Sequence, residues 1–141
     1  GKRETVVKQT RTAIDFAEVL RYTADELYPK AEKIILVTDN LNIHAPSALY
    51  KAFSAEEANR LTKRFEWHYT PKHGSWLDMA EIEIGVMNRQ ALAKPFPDFE
   101  SFEKQVRNWT VNRNARCVKT NWQFTTADAR IKLAKLYPTI L

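Results

Sequence analysis

The sequence predicts an α/β fold, a layered sheet with helices on both faces. One observation is the run Lys33-Ile34-Ile35-Leu36-Val37-Thr38-Asp39, which is apolar throughout rather than alternating. That pattern suits a strand covered on both faces, as in a parallel sheet. A second is the short aromatic strand Glu66-Trp67-His68-Tyr69-Thr70. The third is order: strand, helix, strand, helix, strand, then several helices, the succession of an α/β layered fold.

Each element has a local reason. Residues Glu4 to Gln9 read as a short strand around Val6 and Val7. Thr12 starts a helix, with Asp15 three residues on completing a capping box. Phe16, Val19, Leu20, Thr23 and Leu27 share one face of it, and Tyr28-Pro29 ends it. After the Lys33–Asp39 strand, Pro46 opens a helical stretch through Ala52. Ser54 and Glu57 form a second capping pattern, ahead of Ala58, Leu61 and Phe65. The second strand leaves through the loop Pro71-Lys72-His73-Gly74-Ser75-Trp76 into a helix from about Leu77 to Leu92. Pro95 and Pro97 break the chain, and Asp98 caps a helix bearing Phe99, Phe102, Val106 and Trp109 on one face. A last helix starts near Thr125 to Asp128 and ends by Tyr137-Pro138.

The chain has 141 residues, 44% hydrophobic and 28% charged, which fits one globular domain. No apolar run approaches the roughly 20 residues of a membrane helix, and Gly1-Lys2-Arg3-Glu4 has no signal-peptide character. Cys117 is the only cysteine, so no internal disulfide forms, and a reducing, cytoplasmic setting is expected. Lys plus Arg number 22 against 17 Asp plus Glu. The excess concentrates between Lys104 and Lys135, where Lys104, Arg107, Arg113, Arg116, Lys119, Arg130, Lys132 and Lys135 face a single acid, Asp128. Such a stretch is either a solvated helical surface or one that meets a polyanion.

Two segments carry chemistry. Thr38-Asp39-Asn40-Leu41-Asn42-Ile43-His44 follows the first strand directly, at the strand end where open α/β sheets place ligands. Tyr69-Thr70-Pro71-Lys72-His73-Gly74-Ser75-Trp76-Leu77-Asp78-Met79-Ala80-Glu81 delivers a second carboxylate early in a helix. Both leave the same edge of a parallel sheet, so Asp39 and Glu81 can converge. Converging carboxylates suit Mg²⁺ or Mn²⁺, which prefer hard oxygen ligands. A two-metal site of that kind serves phosphodiester cleavage. A zinc site is disfavoured, because three histidines and one cysteine supply no close-spaced ligand pair.

The strand-Asp-Asn-x-x-x-His pattern and the Thr-Pro-Lys-His-Gly-Ser-Trp-Leu-Asp-x-x-Glu pattern resemble the second and third acids of DDE transposases, in the mariner superfamily of bacterial insertion sequences. The likeness runs from about Thr5 to Tyr137. It implies a ribonuclease-H-like catalytic core over residues 1–95 and a C-terminal helical extension over 96–141. It implies transposon-end and target DNA as substrate, and two Mg²⁺ or Mn²⁺ ions for strand cleavage and transfer. Asp39 and Glu81 become the catalytic and metal-binding acids. The first acid of the family precedes what corresponds to residues 4–9, so the resemblance leaves this site incomplete and the fold incomplete at its N-terminus. Self-association, or pairing with an upstream transposase fragment, is then expected to cover the open strand edge.

Other residues carry two readings each. Asp15 is explained by helix capping. Glu83 competes with Glu81, and the resemblance favours Glu81. Asp78 supports the site or merely caps the helix; the family often has Asn there, which favours the cap. Asn40, His44 and His73 orient a carboxylate or contact phosphate. Lys72 holds a phosphate or is a loop charge. Trp76 stacks on a base or anchors packing. Arg113 and Arg116 are expected to lead the contact with DNA. The competing function is a non-catalytic DNA-binding or regulatory remnant of a transposase. A small-molecule α/β enzyme is disfavoured, since no Gly-rich phosphate loop or Gly-x-Ser-x-Gly is present.

Overall fold

The structure, a computed structural model, describes residues 1–72, Gly74 and 77–136. In chain order the elements are α1 (Ala13–Tyr22), β1 (Ile34–Thr38), α2 (Ser47–Ala52), α3 (Ala55–Arg64), β2 (Phe65–Tyr69), α4 (Met79–Ala91), α5 (Phe99–Ala115) and α6 (Thr126–Lys132). The expected end of the last helix at Tyr137-Pro138 lies outside the described residues.

Local chemistry sets the helix ends. Thr12 and Asp15 form the reciprocal capping box of α1, and Thr125 with Asp128 does the same for α6. Ser54 and Asp98 each accept a first-turn N–H at the starts of α3 and α5. Beyond Tyr22 the helix widens into a π turn, Thr23–Leu27, closed by Tyr28 N–H donating to Thr23 O at 3.0 Å. Arg64, in the last turn of α3, donates to Ala24 O and Tyr28 O, both at 2.9 Å. Arg64 thereby caps carbonyls where the first helix ends, Tyr28 O also accepting from Ala31 N–H at 3.1 Å.

β1 and β2 pair in parallel, with Ile34 opposite Phe65 and Thr38 opposite Tyr69. The core lies against one face of this two-stranded sheet. Ala17, Leu20 and Ala24 of the first helix and its π turn meet Ala48 and Leu49 of α2, Ala58 and Leu61 of α3, and Phe65. Alanines at these contacts let the helices approach closely, while Leu49 and Leu61 are completely enclosed. Burying each leucine stabilises the fold by about 1.5–3 kcal/mol. Ile34, Leu36 and Trp67 pack on the same cluster.

Two expectations differ from what is seen. β1 is covered on one face rather than two: Ile35 is 67% and Val37 55% exposed. The reason is that α1, α2 and α3 all gather on the Ile34–Leu36 side. Residues 4–9 carry no strand. Along residues 2–8 exposure nevertheless alternates, with Arg3, Thr5 and Val7 turned inward, the period of a strand. No backbone ladder forms, and side chains hold the segment instead. Asn114 of α5 both accepts from Arg3 N–H at 2.9 Å and donates to Arg3 O at 2.8 Å, imitating a strand neighbour. Thr5 and Thr110 hydroxyls meet at 2.8 Å, Lys8 pairs with Glu18, and the segment thereby bridges α1 and α5.

Candidate functional site

The parallel pairing of β1 and β2 puts their C-terminal ends side by side, and two hydrogen bonds extend that adjacency past the strands. Thr70 N–H donates to Thr38 O at 2.9 Å. Asn40 Nδ2 donates to Thr70 O at 2.5 Å. The side chain expected to support the site thus clamps the exit of one strand to the exit of the other. The segment bearing Asp39 and the segment leading to Glu81 leave the same sheet edge.

Asp39 sits immediately after β1 and its carboxylate is partly buried. Its Oδ1 accepts from Leu41 N–H at 3.0 Å and lies 2.5 Å from His44 Nδ1. A carboxylate only accepts, so the Nδ1 proton of His44 is the one that fills this contact. Thr38 Oγ1 is 3.2 Å from the same nitrogen, and the imidazole lies 4.6 Å from the Phe16 ring, which fixes its plane. Desolvation works to raise the Asp39 pKa. The Leu41 and His44 hydrogen bonds and the charges of His44 and Arg11 outweigh it and hold the carboxyl below its usual range. Asp39 is therefore kept ionised.

Asp78 caps α4, its Oδ1 accepting from Ala80 N–H at 2.9 Å. Glu81 follows in the first turn and is exposed; its backbone N–H donates to Asp78 O at 3.2 Å, and its carboxylate has no hydrogen bond or ion pair among the described residues. Its neighbour Glu83 is engaged elsewhere. Arg3 Nε and Arg113 Nε donate to Glu83 Oε2 at 2.7 and 2.8 Å; their NH2 groups reach Oε1 at 3.1 and 3.2 Å. Thr120 Oγ1 donates to Oε1 at 2.9 Å. These partners, Arg3 first and then Arg113, depress the Glu83 pKa strongly against the opposing effect of burial. Of the two acids, Glu83 is engaged by two guanidinium groups and a hydroxyl, and the Glu81 carboxylate is exposed.

Lys72 is exposed in the loop after β2. His73 and Trp76 lie outside the described residues. The Thr70 hydroxyl, at the start of that loop, is buried with no partner among the described residues. Arg116 is exposed at the C-cap of α5. Arg113 is not its equal: it is committed to Glu83 and lies 5.3 Å from the Trp109 ring centre, its side chain 14% exposed. The two arginines do not present as a pair of open guanidinium groups. Residues with no local signal also matter. Arg3, Asn114 and Thr120 meet Glu83 or its partners across long sequence separations, which no spacing pattern reveals.

In donor chemistry the site fits a hard divalent ion, since Asp39 and Glu81 both offer carboxylate oxygen and Asp39 is ionised. Among the described residues no group of three His, Cys, Asp or Glu side chains gathers around one point. A groove of about 820 Å³ between residues 2–8, α1 and α5 is lined by neither acid.

The arrangement is thus an ionised aspartate at a parallel strand end and an exposed glutamate on the helix that follows the next strand. The family described as DDE superfamily endonuclease matches residues 1–103 of the 141. The chain belongs to the DDE superfamily endonucleases. No curated protein and no solved structure matches it.

Proposed function

We propose that this chain is part of a transposase catalytic unit of the mariner superfamily, cutting and joining DNA with Mg²⁺ or Mn²⁺. The carrying observation is Asp39, held ionised by Leu41 N–H and His44 at the sheet edge from which the Glu81 segment departs. In this reading Asp39 and Glu81 are two of the ion's ligands, and His44 and Asn40 hold Asp39 and its loop in place. A bound divalent ion would supply Lewis-acid stabilisation of the phosphate oxygens. Asp15 is consumed by its cap, with Thr10, Thr12 and the Thr12 N–H all donating to it. Lys72 and Arg116, with His73 and Trp76, are the groups we assign to the DNA strand.

The experiment is a Mn²⁺ titration of the purified chain followed by water-proton relaxation, paired with nicking of supercoiled DNA. Weak Mn²⁺ binding that is lost in Asp39→Asn and reduced in Glu81→Gln is the expected result. Nicking by the chain alone should be slight, since losing one preorganised electrostatic contact costs about 10²-fold or more. Binding indifferent to both substitutions would remove the metal-site reading. It would favour a non-catalytic DNA-binding role, to which the exposed cations Lys104, Arg116 and Lys119 point. Self-association is part of the proposal. β1 pairs only with β2 among the described residues, and an apolar strand with an open edge invites a second copy. A monomer by light scattering at high concentration would refute that part.

A further inference from the structure

The helix that carries Glu81 is poorly anchored by apolar packing. None of the residues of α4 is buried, and Met79 and Ile84 are each 50% exposed. At its C-terminal end Gln90 Oε1 accepts from Trp109 Nε1 at 2.9 Å, and near its N-terminus the carboxylate of Glu83 is the main polar anchor among the described residues. Glu83 receives two guanidinium groups, each through Nε and NH2, and one hydroxyl, and its side chain is only 17% exposed. These partners come from three other parts of the chain: residue 3, α5, and the segment after α5. Arg3 is itself fixed by the Asn114 amide, and Arg113 by the Trp109 ring.

Paired donation from a planar guanidinium is directional, so it fixes orientation as well as distance. Two such groups on one carboxylate leave it a single pose. A helix turns about 100° per residue, so Glu83 and Glu81 point about 200° apart. Pinning the Glu83 face against residues 1–10 and α5 turns the Glu81 face outward, where Glu81 is exposed. We propose that Glu83 is a positioning residue. With Arg3 and Arg113 it sets the rotation of α4, and thereby the direction in which Glu81 is offered to a ligand. This rests on the proposed role of Glu81. The charge balance agrees with the assignment, because two cations surround an acid that is consequently unable to serve as a second, competing metal ligand.

The test separates the geometry from the metal. Spin labels are placed at Lys51→Cys on α2 and Asn88→Cys on α4, both exposed positions, in a Cys117→Ser background. Their distance distribution is read by pulsed electron resonance, and Mn²⁺ affinity by relaxation, both well below the melting temperature. Wild type should give one narrow distribution. Glu83→Gln should broaden it and weaken Mn²⁺ binding about tenfold, the scale on which loss of a supporting residue costs metal affinity. Glu83→Asp, which keeps the charge, should recover part of both. If Glu83→Gln does not fold, Arg113→Lys, which loses the paired donation but not the charge, is expected to behave in the same way. An unchanged distribution overturns the inference, and so does a broadened one with unchanged Mn²⁺ affinity. Should Asp39→Asn and Glu81→Gln leave Mn²⁺ binding untouched, the metal-site reading fails by itself, and the distance distribution alone decides whether Glu83 orients α4.

Discussion

Which cations on the C-terminal helices are free to meet DNA can be decided by the salt dependence of binding. Each basic residue that displaces a counterion from duplex DNA contributes about 0.9 to the slope of log affinity against log salt. Arg116 and Lys119 are exposed and make no side-chain hydrogen bond or ion pair among the described residues. Replacing both with alanine should flatten the slope by about 1.8, twice the single contribution. Arg113 is the internal control. Its guanidinium is spent on Glu83, at 2.8 and 3.2 Å, so Arg113→Gln should leave the slope nearly unchanged while lowering stability. Breaking a partly buried pair leaves Glu83 with Arg3 as its remaining guanidinium partner. The assay is fluorescence anisotropy with a labelled duplex at several salt concentrations. An unchanged slope in the Arg116/Lys119 variant would return this surface to an ordinary solvated helix face. A slope that falls as much with Arg113→Gln as with Arg116→Ala would contradict the structural division between the two arginines.

Three further outcomes follow from particular contacts. Cys117 ends α5 in the left-handed region (φ 50°), with its N–H donating to Asn114 O and Val118 N–H to Arg113 O. Cys117→Gly should therefore stabilise by about 1 kcal/mol, or about 3 °C for a chain of this size, and Cys117→Val should lower the melting temperature. Asp25 is held below its usual pKa by the Arg60 hydrogen bonds, against desolvation, with the charges of Arg60, Arg64 and Arg21 adding to the effect. Its contribution is present above the ordinary carboxylate pKa of about 3.9 and fades as pH falls through the depressed value. The melting-temperature gap between wild type and Asp25→Asn should then close between about pH 5 and pH 2, and a gap that stays constant would show that the pair contributes nothing. Amides of α3, which encloses Ala58 and Leu61, should exchange with solvent only on global unfolding, whereas those of α4, with no buried residue, should exchange sooner. Equal protection would mean that α4 is anchored more firmly than its exposure indicates.

What the sequence made legible is local. Thr12 with Asp15, Ser54 with Glu57, and Asp98 are caps within a few residues of the amides they satisfy, so they read correctly from spacing alone. The Ile34–Thr38 run was recognisable as a strand, but an apolar run reports only its own preference. Whether Ile35 and Val37 are covered depends on where distant helices pack, and α1, α2 and α3 share the other side. Val6 and Val7 suggested a strand for the same reason. The segment keeps the alternation and lacks the ladder, because its neighbour is the Asn114 side chain rather than a backbone. Arg113 reads in the sequence as one of a basic stretch because its partner, Glu83, stands on another helix. Charge counts along a chain cannot see such a pairing.

The two carboxylates of the proposed site are thus held by different physics. Asp39 emerges from a strand whose inner face is packed on the core, and its own oxygen is fixed by a backbone N–H and an imidazole that rests on Phe16. Its position is inherited from apolar burial, which is non-directional and set once the chain folds. Glu81 stands on a helix without a buried residue, oriented through charged groups from residue 3, α5 and the Thr120 segment. Its position depends on those segments having come together. A site built from one fixed acid and one conditionally placed acid is complete only when the surrounding segments are assembled. If Asp39 and Glu81 act as proposed, that arrangement would tie the geometry of cleavage to the assembled state of the protein, with Glu83 as the group through which the dependence is exerted.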